Sequence, residues 1–155
     1  MTTVDRAALI DLLDRLGSDD DAAVLEAARA LHRKAATYLK RVLKHFDYVG
    51  VLTIEFFARQ GKLIANEMAP RVHNSGHWTI EGAETSQFEN HVRAVLGLPL
   101  GATTARGHCA MVNLIGEMPE AAVVLDEPGV HLHHYGKSPR PGRKLGHCTL
   151  VEPKS

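Results

Sequence analysis

Cysteine is scarce: Cys109 and Cys148 are the only two in a chain of 155 residues. So few thiols, so far apart, exclude a disulfide framework. With no signal-peptide pattern they read as reduced thiols of a cytoplasmic protein, and Cys148, in an apolar strand-like run, as a buried structural thiol. Long hydrophobic runs are missing too. No continuous apolar window reaches the roughly 18 residues of a transmembrane helix, so no membrane span is expected. Net charge is absent, 18 Lys and Arg balancing 18 Asp and Glu. That argues against a broad nucleic-acid binder but leaves room for a local basic pocket. No internal repeat or low-complexity tract appears. What is present is ordinary for a globular protein, 45% apolar and 23% charged. The length suits one domain with a sizeable core, or one with a small appendage.

The stretch that organises the chain is residues 48–79. Residues 48–57 are rich in β-branched and aromatic side chains and free of proline, and a second apolar run covers residues 62–68. Between them Ala58-Arg59-Gln60-Gly61 reads as the connection of a β-hairpin. A tight loop near Gly61 allows two registers. One sets Glu55 opposite Glu67; the other sets Glu55 opposite Asn66, with Glu67 a close diagonal neighbour. Side chains directly opposed on one face have Cβ atoms about 5 Å apart. Two carboxylates held so close repel unless one is protonated or a cation lies between them. A hard divalent ion such as Mg²⁺, completed by water and phosphate oxygens, answers that geometry. The alternative is that one glutamate points to solvent and the pair is accidental.

Elsewhere the periodicities are plain. Leu9, Leu12, Leu13 and Leu16 predict a helix over residues 5–16, ended by Gly17, with Ser18-Asp19-Asp20-Asp21 opening another. That second helix runs over about residues 21–45 through Leu25, Ala28, Leu31, Ala35, Tyr38, Leu39 and Val42. Arg33, Lys34, Lys40, Arg41 and Lys44 form its solvated face. Residues 85–96 predict a helix with Phe88, His91, Val92, Val95 and Leu96 as its apolar side. A capping box at Ser86 opens it, and Gly97 and Pro99 stop it. His91 reads as a semi-buried histidine, not a ligand. Strands are then expected at residues 109–115, 121–125, 130–135 and 146–151, separated by proline and glycine. Alternation puts His131 and His133 on one strand face. No Cys or further His stands at zinc spacing, so they and His134 read as strand surface. Residues 136–144 form a turn rich in Lys and Arg, which is either a solvated loop or a clamp for a phosphate.

Within residues 68–79 the chain packs Arg71, His73, Asn74, Ser75, His77 and Trp78 together. Arginine offers a fixed fork of donors for phosphate or carboxylate, and histidine titrates near neutrality. The segment NEMAPRVHNSGHWTIEGAETSQFENHVRAVLGLPLG, with YGK and RPGRKLGH further on, closely resembles the C-terminal part of the 5-(carboxyamino)imidazole ribonucleotide synthases. These are ATP-grasp ligases of purine biosynthesis. The resemblance covers about residues 35–150.

The resemblance implies ATP-dependent carboxylation of 5-aminoimidazole ribonucleotide with bicarbonate, through carboxyphosphate. Carried over, Glu55 and Glu67 would hold the Mg²⁺ ions that bridge the ATP phosphates, with Asn66 and Glu67 beside the nucleotide. Arg71 would stabilise the transferring group. His73 would act with it and, like Asn74, lie near the imidazole, while Lys137 and Arg143 would take the ribose phosphate. The spacing of the basic loop leaves Arg140 and Lys144 as alternatives to Arg143. Many ATP-grasp enzymes carry Asn where Ala69 stands, so the metal shell would rest on the two glutamates. The fold implied is α+β: a helical extension over residues 1–34, the C-terminal half of an ATP-grasp domain over 35–105, and a small β-rich subdomain over 106–155. Residues 1–30 resemble nothing in that family and read as a helical hairpin. A complementing N-terminal half, or self-association into a homodimer, is the expected partner; nucleic acid and membrane are not. The other reading is a non-catalytic remnant or ribonucleotide-binding module.

Overall fold

The computed structural model describes residues 21–59 and 62–153. The helix expected over residues 5–16, which is the first arm of the helical hairpin, and the connection at residues 60–61 lie outside the described residues. The chain divides into two compact units, Met1–Arg71 and Val72–Ser155. Its architecture is mixed, with helices beside small antiparallel sheets, as an α+β chain requires.

In the first unit, α1 (Asp21–Phe46) has the expected spacing. Leu31, Ala35, Tyr38, Leu39 and Val42 are half-buried, while Arg33, Lys40, Arg41 and Lys44 are exposed. The helix ends in a Schellman motif. The Tyr48 N–H donates to the Leu43 carbonyl at 3.0 Å and the Asp47 N–H to the Lys44 carbonyl at 3.4 Å. Asp47 stands in the left-handed region with φ 48°. The Tyr48 hydroxyl then donates to the Pro70 carbonyl at 2.8 Å, which joins the entry and exit of a hairpin. Its strands, β1 (Thr53–Arg59) and β2 (Lys62–Ala69), pair antiparallel. The register shifts once: Glu55 pairs with Glu67 but Phe56 pairs with Ala65. Asn66 is therefore the extra residue of a β-bulge.

In the second unit the buried layer lies between a short helix, α2 (Thr79–Gly82), and a three-stranded sheet. The helix α3 (Gln87–Val95) follows. The sheet has the order β3-β5-β4, made of β3 (Gly107–Ile115), β4 (Val130–His134) and β5 (Lys144–Pro153), all antiparallel. Helix α2 packs on β3 and β5. At its end Gly82 is needed for close approach: a Cβ there would stand 2.8 Å from the Trp78 ring and 2.9 Å from Cys109 Sγ. No helix among the described residues is long and apolar enough to cross a membrane.

Three expectations are corrected. Residues 121–125 form not a strand but a helical turn, α4 (Ala121–Leu125). A five-residue apolar run has no period that separates the two, and the Val123 and Val124 N–H groups fold back onto the Glu120 carbonyl. Cys148 is only half-buried. The buried side of β5 is the other parity, with Leu145 0%, His147 1% and Thr149 0% exposed. The apolar side of α3 is on the surface, with Val92 55%, Val95 60% and Leu96 66% exposed. The buried residue of α3 is Asn90. Its amide brackets Gly101, accepting from the N–H at 2.9 Å and donating to the carbonyl at 3.2 Å. Paired polar groups are buried at little cost. The Ser86 cap is formed, its hydroxyl accepting from the Glu89 N–H at 3.1 Å, while the Glu89 carboxylate pairs with Arg93 at 2.6 Å.

Candidate active site

The hairpin of the first unit brings its acidic residues together. Glu55 and Glu67 are direct cross-strand partners, with a carboxylate oxygen of each within 4.8 Å of the other. The bulge adds Asn66 to the same group, its amide donating to Glu55 Oε2 at 3.4 Å. Both registers allowed by the sequence are thus used, one on each side of the bulge. Arg71 lies four residues beyond Glu67, its guanidinium 3.6 Å from Glu67 Oε1. Two facing carboxylates with a carbonyl-bearing amide beside them form an all-oxygen donor set, which fits a hard divalent cation such as Mg²⁺. Ala69, at the end of β2, is buried.

The polar loop of the second unit is rigidly built. His73 is 8% exposed. The Gln87 side chain holds its backbone twice: the His73 N–H donates to Oε1 at 3.0 Å, and Nε2 donates to the His73 carbonyl at 2.7 Å. The same Nε2 lies 2.8 Å from His77 Nδ1. The His73 ring faces the Ser75 hydroxyl at 2.9 Å through Nδ1. A helical turn, Asn74–Gly76, follows. Thr79 fastens the loop from its other end, its hydroxyl donating to the Gly76 carbonyl and accepting from the Gln87 N–H at 3.0 Å.

Asn74 is the meeting point of the polar side chains. Its Nδ2 donates to Asn113 Oδ1 at 2.8 Å, and its Oδ1 accepts from Lys144 Nζ at 2.9 Å. Burial raises the Tyr135 phenol pKa, a rise that the Asn74 amide partly opposes, and the hydroxyl itself lies 2.6 Å from His147 Nδ1. Lys137 sets its ammonium over the Tyr135 ring, 5.3 Å from the centroid. The Arg143 guanidinium instead donates to the Ser138 carbonyl at 3.3 Å, inside its own loop. Of the cations in that loop, the one placed at Asn74 is Lys144.

Beneath these residues lies a histidine cluster. His133 Nε2 is 2.7 Å from Glu81 Oε1, and its ring stacks on His147 at 4.4 Å with 14° between planes. His77 lies 5.4 Å from His147. His133 is therefore not the plain strand surface that alternation suggests: β5 presents His147 beside it and α2 presents Glu81. Burial, with the neighbouring His133 and His77, lowers the His147 pKa to about 4. Burial, then His73, His133 and Lys144, also lowers that of His77. The Cys109 thiol is pushed up by burial and by Glu81, which suits an inert packing role.

Comparison with known proteins gives this geometry a context. The ATP-grasp domain profile matches residues 19–88, and the phosphoribosylaminoimidazole carboxylase C-terminal domain profile matches residues 109–155. The N5-carboxyaminoimidazole ribonucleotide synthase of Pseudomonas aeruginosa is 59% identical over 127 residues, covering 82% of this chain and 35% of the relative. The chain's relatives are N5-carboxyaminoimidazole ribonucleotide synthases, and it matches their C-terminal part. The solved synthetase of Thermus thermophilus superposes with a TM-score of 0.74 at 67% identity, over 79% of this chain and 34% of that one. The synthase of Aspergillus clavatus, in complex with ADP and 5-aminoimidazole ribonucleotide, superposes with a TM-score of 0.60 at 38% identity, over 68% of this chain and 31% of that one. This chain spans about a third of the length of the synthases it matches.

Sequence reasoning passed over Gln87, Tyr135, His147, Asn113 and Glu81. Gln87 was visible only as part of a helix cap. Tyr135 stands beside Gly136 and Lys137, the start of the motif that carries the resemblance, but its partner His147 is reached only through the β4–β5 pairing.

Proposed function

We propose that this chain supplies the metal-facing and ribonucleotide-facing part of an ATP-dependent ligase that carboxylates 5-aminoimidazole ribonucleotide with bicarbonate, in purine biosynthesis. The remaining two thirds of the relatives' length is needed to complete the nucleotide site, whether joined to this chain or supplied as a separate N-terminal part. The observation that carries the reading is the cross-strand pair Glu55 and Glu67, with Asn66 turned toward it by the bulge.

In this reading the hairpin carboxylates hold Mg²⁺, which neutralises charge on the ATP phosphates. Asn66 and Glu67 lie beside the nucleotide. Arg71, close to Glu67, offers its guanidinium to the transferring group. His73, its backbone fixed by Gln87 and its ring steered by Ser75, presents one imidazole nitrogen toward the substrates. Asn74 orients the aminoimidazole, and Lys137 takes the ribose phosphate. Arg143 joins Lys137 there, on condition that it leaves the Ser138 carbonyl; Lys144, already at Asn74, is the alternative. In this reading the ATP-grasp half covers residues 35–105, opened by the later turns of α1, and the β-rich part residues 106–155, after an extension at 1–34. The exposed apolar side of α3 is a surface through which the second unit meets the rest of the ligase or a second copy. A cytoplasmic location fits the reaction.

The test is ADP release from Mg-ATP in the presence of bicarbonate and the ribonucleotide, with and without a separately supplied N-terminal part. Glu67→Ala is expected to lower the rate at least a hundredfold, as loss of a metal ligand at a phosphoryl-transfer site would. Equal release by the wild type and Glu67→Ala would contradict the reading. Ribonucleotide binding without any turnover would leave a binding module in its place.

A further inference from the structure

His77 has no task in the chemistry proposed above, yet it shares a side-chain partner with His73. We propose that Gln87 is a positioning residue for His73: one amide holds the His73 backbone on one side and is anchored on the other by His77, which accepts through Nδ1 and carries its proton on Nε2. This rests on the proposed function and deepens it.

Hydrogen-bond direction leaves the Gln87 amide a single orientation. A backbone N–H only donates, so the atom 3.0 Å from the His73 nitrogen is the amide oxygen, Oε1. A backbone carbonyl only accepts, so the atom 2.7 Å from the His73 oxygen is Nε2. The same Nε2 lies 2.8 Å from His77 Nδ1. An amide nitrogen has no lone pair to offer, so Nδ1 must supply one, and the proton of the imidazole sits on Nε2. The surroundings of His77 favour that form. Its half-buried ring is stacked on Phe88, the next residue of α3, at 5.2 Å with 29° between planes. His73, His133 and Lys144 each oppose a positive charge there. The His147 and Tyr135 rings lie 5.4 and 6.1 Å away, and the Glu81 carboxylate is engaged by His133 at 2.7 Å.

The loop is shaped round this amide. The Gln87 N–H donates to the Thr79 hydroxyl at 3.0 Å, and that hydroxyl donates to the Gly76 carbonyl. Gly76 leaves the room: a Cβ there would stand 2.6 Å from Gln87 Oε1 and 2.8 Å from its amide carbon. Gly76 belongs to a helical turn, so glycine is needed here for space and not for conformation. His73 caps the start of the same turn. Moving the amide would move the His73 backbone, and a displacement of about 1 Å at a reacting group can cost about a hundredfold in rate.

Two variants disturb the amide in different ways. Gln87→Glu keeps its shape, but the second oxygen then faces the His73 carbonyl and the His77 lone pair with no proton for either. Gly76→Ala leaves the glutamine intact and pushes it aside. Nitrogen-15 NMR of the chain gives the tautomer and titration of His77, and the ligase assay with a separately supplied N-terminal part gives kcat and the KM for ATP. The proposal expects wild-type His77 to carry its proton on Nε2. It expects Gln87→Glu to raise the His77 titration midpoint by about one pH unit or more, as an adjacent opposite charge does. Both variants should lower kcat about tenfold to a hundredfold with the ATP KM unchanged. A wild-type His77 with its proton on Nδ1 overturns the proposal, as does an unchanged kcat in both variants or a loss confined to the ATP KM. Where one variant fails to fold, the other and the wild-type tautomer decide. If the wild type neither turns over nor binds the ribonucleotide, the proposed function fails and the role of Gln87 in the reaction with it, whereas the His77 tautomer tests the hydrogen-bonded arrangement by itself.

Discussion

At His147 burial and like charge act in the same direction, lowering its pKa from the ordinary 6.5 to about 4. Folding therefore weakens this base, and the unfolded chain binds the extra proton. The stabilisation is full above about pH 6.5 and is lost as the pH falls from there toward 4. His77, lowered for similar reasons, adds to the loss. About 2 kcal/mol from His147 is expected, after discounting for solvent screening. Thermal unfolding followed from roughly pH 7.5 to roughly pH 5 should show the midpoint falling, and His147→Asn should flatten that fall. An identical pH slope in the variant would show that His147 is not the group responsible. At this scale the sequence was half legible. Glu55 and Glu67 were readable because a hairpin has a small number of registers. His147 and Gln87 were not, because their partners Tyr135, His133 and His73 are set by strand pairing and loop docking, which no local spacing encodes.

Among the elements, α1, the hairpin and three of the C-terminal strands were legible from periodicity and turn residues. The bulge was not: each register alone pairs the strands straight through, and the slip appears only where Glu55 pairs with Glu67 but Phe56 with Ala65. Residues 121–125 misled because five apolar residues carry no period. The end of α1 gives a direct test of local reasoning. Asp47 occupies, at φ 48°, the position that helix termini usually give to glycine. Asp47→Gly should relieve the strain of a left-handed side-chain-bearing residue and stabilise the first unit by roughly 0.5–1 kcal/mol, read as a rise in the denaturant midpoint. A lower midpoint would mean that the aspartate contributes more at this terminus than its backbone conformation costs.

For the whole molecule, the two compact units divide the proposed labour. The hairpin side carries the oxygen ligands for a metal, and the second unit carries the rigid polar loop and the basic turn. The chain covers about a third of the synthases it matches, so in the proposed reaction its residues supply one part of the site. Release of ADP alone can come from ATP hydrolysis uncoupled from carboxylation, whereas transfer of carbon cannot. The decisive measurement is carbon-13 NMR of the ribonucleotide after incubation with labelled bicarbonate, Mg-ATP, this chain and a separately supplied N-terminal part. The account predicts a new carbamate carbon on the exocyclic amine with the wild type and none with Glu55→Ala or Glu67→Ala. Labelled product formed equally well by the glutamate variants, or absent in the wild type while the ribonucleotide stays bound, would contradict it.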